Sequence, residues 1–140
     1  MSQLDLRALR AELERDEKRC LKPYIDTEGN TSVGVGRNLT AVGISDSECD
    51  FMLENDIAKA LRLLDRNLPW WRQLEPVRQR VLANMAFNLE YRLFTFKKAL
   101  AAMEARDFSK AAEEMLASKW AVQVGERAQR LAKMMRTGAV

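Results

Sequence analysis

Four acidic residues, Asp16, Glu17, Asp26 and Glu28, crowd into one short stretch near the N-terminus. A carboxyl that closes one helix stands nine positions before a carboxyl that opens a small sheet. Glycoside hydrolysis needs such a pair: one acid protonates the leaving oxygen while the other carboxylate orients or activates water. If the two stand far enough apart to admit that water, the outcome is inversion. Solvent-exposed acids beside a turn give the same pattern, so spacing alone leaves both readings open. The rest of the composition excludes much else. The chain has no histidine, so no Ser-His-Asp or Cys-His nucleophile and no His-ligated zinc can form. Its two cysteines, Cys20 and Cys49, are too few for a Cys₄ zinc site. Acid–base work falls to carboxylates, lysines or tyrosines, and no metal or cofactor is implied.

The elements that must position these residues are legible in the spacing. Residues 3–19 carry Leu6, Leu9 and Leu13 at helical intervals and read as an amphipathic helix. The run Pro23–Gly36 is rich in β-branched residues and turn formers. It predicts a short β-hairpin or three-stranded sheet turning at Glu28-Gly29-Asn30. Ser45-Asp46-Ser47-Glu48 fits a capping box and should open a long helix. In that helix Leu53, Ile57, Ala60, Leu61 and Leu64 form an apolar stripe as far as about Arg66, and Pro69 ends the segment. Everything beyond reads helical, over 75–89, 96–105, 108–118 and 126–135. Trp70, Trp71, Phe87, Phe94, Phe96, Phe108 and Trp120 are expected as bulky core. The fold class is α+β and mostly helical. A single domain over 1–140 is expected: a small N-terminal lobe (1–43), a linking helix (44–67) and a helical lobe (68–140), with a cleft between the lobes.

With 140 residues, 47% apolar and 31% charged, the chain has ordinary globular composition and can bury a core without staples. The longest uncharged run, Val81–Leu89, is too short to cross a bilayer. The N-terminal residues alternate charge and leucine, which reads as neither a secretory signal nor an anchor. The cysteines then read as free thiols in a reducing compartment, with a Cys20–Cys49 bridge as the alternative. The net charge is +3, and the excess gathers at the C-terminus. From Met115 onward Lys119, Arg127, Arg130, Lys133 and Arg136 face Glu126 alone. Such a segment suits a polyanion or a plain solvated helix face. Leu131, Met134 and Met135 could form an apolar face for an anionic membrane, although they suit core packing better.

Taken together, these blocks resemble the phage-type lysozymes, glycoside hydrolase family 24. The family pattern of Glu, eight residues, Asp or Cys, five residues, Thr reads here as Glu17, Asp26 and Ser32. Asn84-Met85-Ala86-Phe87-Asn88 is similar to the family's Asn-Met-x-Phe segment. Ser118-Lys119-Trp120, Arg127-Ala128 and Arg136-Thr137-Gly138 follow its C-terminal signature in order. The resemblance implies a muramidase that cuts the β-1,4 bond between N-acetylmuramic acid and N-acetylglucosamine in peptidoglycan, with inversion. It implies Glu17 as the general acid, buried in the cleft so that it stays protonated. Asp26 would hold or activate the water, and Ser32 would position it. Arg127 would steady the acid, and Gly34, Gly36, Phe87 and Asn88 would contact glycan.

Several positions depart from the family. Lys18 follows the acid where glycine is usual, and would act on Glu17 only if its ammonium turned inward. Ser32 replaces threonine, and Arg37 replaces a histidine, removing any ion pair that used it. The connection at Ala41-Val42-Gly43 is short. The resemblance further implies an endolysin of a phage or prophage, or a virion-associated lysozyme. It would be made in the host cytoplasm, act as a monomer on peptidoglycan, and need a separate holin to reach the wall. Neither nucleic acid nor stable membrane insertion belongs to this reading. Two alternatives stand beside it: a lysozyme-like protein that binds glycan without cutting, and a basic nucleic-acid binder built on residues 119–136.

Overall fold

The computed structural model describes residues 3–140; Met1 and Ser2, part of the segment read above for a signal, lie outside it. Its backbone separates into two compact units, Met1–Phe51 and Met52–Val140. The architecture is α+β, with a small three-stranded antiparallel sheet near the N-terminus and helices through most of the chain.

In the first unit, helix α1 spans Leu6–Glu17, and Asp5 caps it by accepting from the Ala8 N–H at 3.0 Å. This cap is why the helix starts later than the leucine spacing predicts. Leu6 and Leu13 are exposed, and no α1 residue is buried. Strands β1 (Cys20–Ile25), β2 (Thr31–Gly34) and β3 (Arg37–Asn38) follow in the order β1-β2-β3. Pairing of β1 with β2 is irregular between Cys20 and Tyr24, where Pro23 has no N–H to give the ladder. The central strand places Ser32 opposite both Tyr24 and Asn38. This leaves Ser32 4% exposed, the one buried polar residue among those described.

Helix α2 (Asp46–Asn67) opens as the capping box predicts. Glu48 N–H donates to Ser45 Oγ at 3.2 Å, and Ser45 N–H donates to Glu48 Oε1 at 2.8 Å. From Met52 onward the chain builds the larger unit. A 3₁₀ turn (Trp71–Gln73) leads to α3 (Pro76–Leu89), then a second 3₁₀ segment (Glu90–Thr95), α4 (Lys97–Glu104), α5 (Phe108–Leu116), α6 (Lys119–Val124) and α7 (Glu126–Thr137). Leu64, Val81, Leu82, Met85, Leu93, Met103, Met115, Leu131 and Met135 are fully enclosed. Each such side chain contributes about 2 kcal/mol by leaving water. Leu131 and Met135 therefore face the core, with Met134 packed against it.

Of the expected bulky core residues, Trp71 and Trp120 are buried, and Trp70, Phe94, Phe96 and Phe108 pack against the core. Phe87 is instead 40% exposed. Arg78 ties α3 to the C-terminal end of α7. Its guanidinium donates to the terminal carbonyls of α7, Met135 at 2.7 Å and Arg136 at 3.0 Å, and to Glu75 Oε2 at 2.9 Å. It also lies 3.6 Å from the Phe108 ring centre. A planar fork can bond two carbonyls and stack at once, which an ammonium cannot. Cys20 and Cys49 are free thiols. Among the described residues no helix is long and apolar enough to cross a membrane.

Candidate active site

Glu17 is the last residue of α1, and the chain leaves the helix at Lys18 with φ 65° and ψ 161°. The Glu17 carboxyl then lies where a side chain at Gly36 would begin. A β-carbon at position 36 would stand 2.7 Å from Glu17 Oε2 and 3.0 Å from its Cδ. Gly36 has φ +69°, a conformation that favours glycine, and any side chain there would displace the Glu17 carboxyl. Glu17 is exposed, where the family pattern implies burial. It stands at the C-terminal end of a helix that buries none of its residues.

Asp26 directly follows the first strand and organises the hairpin turn. Its Oδ1 accepts from the N–H groups of Glu28 and Asn30, both at 2.9 Å. Its own N–H donates to the Asn30 carbonyl at 2.8 Å. This Asx turn fixes the carboxyl's direction through one oxygen and leaves the other without those donors. Ser32 follows on β2 with its side chain buried, and Gly34 ends the same strand opposite Cys20. Gly34 shares the φ of +69° but has nothing within 4 Å of where a Cβ would lie.

Arg37, which opens β3, makes an ion pair despite replacing the family's histidine. It grips Glu48 through two bonds, 2.8 and 2.7 Å, and reaches the Gly43 carbonyl at 3.2 Å. The sheet is thereby tied to the start of α2 across the short Ala41–Gly43 connection. Arg37's hydrogen bonds, with Ser45's N–H and hydroxyl, lower the Glu48 pKa from 4.5 to about 2. A depressed carboxylate stabilises the fold above its ordinary pKa, and that contribution is lost as the pH falls through its folded value. The Tm advantage of wild type over Glu48→Gln is therefore expected to be full at pH 6 and to vanish as the pH approaches 2. Thermal unfolding of both proteins across that range checks it, and an advantage that stays constant would contradict the assignment.

The remaining candidates belong to the larger unit. Arg127, at the start of α7, is half-buried and donates from Nε and Nη2 to Asn84 Oδ1, at 3.0 and 2.7 Å. Arg127, Asn84 and Phe87 line one groove of about 510 Å³, with Leu53, Ile57 and Met134 along it. Asn88 is not among the groove's lining residues; its Oδ1 accepts from the Trp120 indole at 2.7 Å. Sequence reasoning missed three pairings: Asn84 with Arg127, Trp120 with Asn88, and Glu48 with Arg37. Asn84 and Trp120 stand within blocks that the family pattern marks, and Glu48 within the capping box.

The fold and these residues define a lysozyme-like protein, and the chain belongs to the phage lysozyme family, whose model matches residues 14–137. Among its relatives is Probable T4-type lysozyme 1 of Dictyostelium discoideum. The two are 25% identical over 91% of this chain and 93% of that one. Probable T4-type lysozyme 2 of the same organism is 27% identical, over 95% of this chain and 96% of the relative. The Pre-baseplate central spike protein Gp5 of Enterobacteria phage T4 is 28% identical over 90% of this chain, which covers 27% of that longer protein.

Proposed function

We propose that this chain is an N-acetylmuramidase. It hydrolyses the β-1,4 bond between N-acetylmuramic acid and N-acetylglucosamine of peptidoglycan, and it serves the lysis of a host cell by a phage or prophage. The observation that carries this reading is the Glu17 carboxyl resting on Gly36, in a chain whose family is phage lysozyme. The carboxyl takes the place that a side chain at 36 would fill and stays exposed there, open to a glycosidic oxygen. A sugar seated there displaces water from the carboxyl and favours its uncharged form, which the exposed position does not do by itself.

In this reading Glu17 gives its proton to the leaving O4 as the glycosidic bond breaks. Asp26, steered by the Glu28 and Asn30 N–H groups, directs its second oxygen at the attacking water, takes that water's proton and offsets oxocarbenium charge. Ser32 holds the water by its hydroxyl. Attack from the face opposite the leaving group inverts the anomeric centre. Arg127 supports the acid, while Gly34, Gly36, Phe87 and Asn88 contact glycan. The protein acts as a monomer and reaches the wall through a separate holin. A protein that binds glycan without cutting is the second reading, favoured by the exposure of Glu17. Incubation with purified, insoluble peptidoglycan separates the two: the muramidase releases soluble fragments, whereas the binder co-sediments with the wall and releases none.

A further inference from the structure

Among the described residues, three other than glycine hold positive φ: Lys18 at 65°, Glu90 at 53° and Arg106 at 60°. Each conformation is one that glycine adopts at little cost and an L side chain does not. Arg106 uses its side chain, bonding Glu75 Oε1 at 3.1 Å and the Gln73 carbonyl at 2.9 Å. Glu90 faces Lys59 at 3.9 Å. Lys18 is different. With ψ 161° it lies in the region most nearly restricted to glycine, and its side chain is exposed. Of the carboxylates just before it, Glu14 is engaged by Arg10 and Arg19 and Asp16 by Arg15, while the adjacent Glu17 forms no ion pair with it. Among the described residues Lys18 is in no ion pair. A strained position is thus spent on an ammonium that stands free, directly after the Glu17 carboxyl.

We propose that Lys18 is a specificity-determining residue that takes a carboxylate of the substrate. The proposal rests on the peptidoglycan reading. The peptide stems on the lactyl groups of muramic acid carry free carboxylates beside the scissile bond, whereas the sugars of the strand are uncharged there. Lys18 gives the site an electrostatic preference for stem-bearing glycan, held at a backbone position where glycine would avoid the strain.

The test uses Glu17→Gln, which keeps substrate intact, with and without Lys18→Gln. Binding to insoluble peptidoglycan is measured by sedimentation at low salt. The second substitution is expected to weaken binding about fivefold, the scale of one exposed charge contact. On peptidoglycan whose carboxylates have been converted to amides, the two proteins are expected to bind alike. Lys18→Gly should weaken binding as Lys18→Gln does while raising Tm by about 3–5 °C, because only glycine relieves the strain. Equal binding of both proteins to untreated peptidoglycan overturns the assignment, as does a difference that persists on the amidated wall. If Glu17→Gln alone fails to bind either wall, the peptidoglycan reading falls, and the role of Lys18 with it.

Discussion

Glu17→Gln is expected to lower the rate of glycan cleavage about 10³-fold while leaving the fold intact. Removing a positioned general acid costs 10²–10⁴ in rate, and a thousandfold corresponds to about 4 kcal/mol of barrier. Glutamine has the size of glutamate and fills the same place against Gly36, so nothing in the packing changes. Because Glu17 stands exposed at a helix end, the substitution opens no cavity and strands no buried partner. The loss is therefore expected in turnover. Initial rates for both proteins, with thermal unfolding to verify equal stability, check this. A glutamine variant that keeps a tenth or more of the wild-type rate would remove Glu17 from the role of acid.

The second large effect is expected at Gly36. In Gly36→Ala the new methyl would sit 2.7 Å from Glu17 Oε2, 3.0 Å from Cδ and 3.2 Å from Cγ. The carboxyl has to swing away, and a displacement of about 1 Å at the reacting group costs on the order of 10²-fold in rate. The alanine also carries the penalty of its φ of +69°, about 1 kcal/mol of stability. Gly34→Ala separates these two consequences, since it has the same φ but open space around its Cβ position. Both variants are expected to lose similar stability, and Gly36→Ala to lose far more activity. Equal activity losses would mean that the carboxyl's seat on Gly36 does not matter.

Local chemistry made much of this legible in the sequence. The Ser45–Glu48 capping box closes as two reciprocal bonds, and the turn formers around Gly29 place Asp26 at a hairpin. Residues 75–89 and 126–135 become α3 and α7 within about two residues. What the sequence does not show is pairing across elements. The grip of Arg37 on Glu48 and of Asn84 on Arg127 joins residues 11 and 43 positions apart, and no periodicity encodes such distances. Burial is similarly non-local. The leucines of α1 have helical spacing yet stay out of any core, and Phe87 stands exposed although its neighbours Met85 and Ala86 are enclosed. The short α6 and the two 3₁₀ segments lack the length that makes a period readable.

The most direct test of the central claim is the chemical identity of the new chain ends. Peptidoglycan digested by the wild-type protein is reduced with borodeuteride and its fragments are weighed by mass spectrometry. Hydrolysis by Glu17 and Asp26 at the muramic acid bond leaves labelled N-acetylmuramitol at the ends of soluble fragments. New ends of N-acetylglucosaminitol, anhydromuramic ends formed without water, or no new ends at all would each contradict the account.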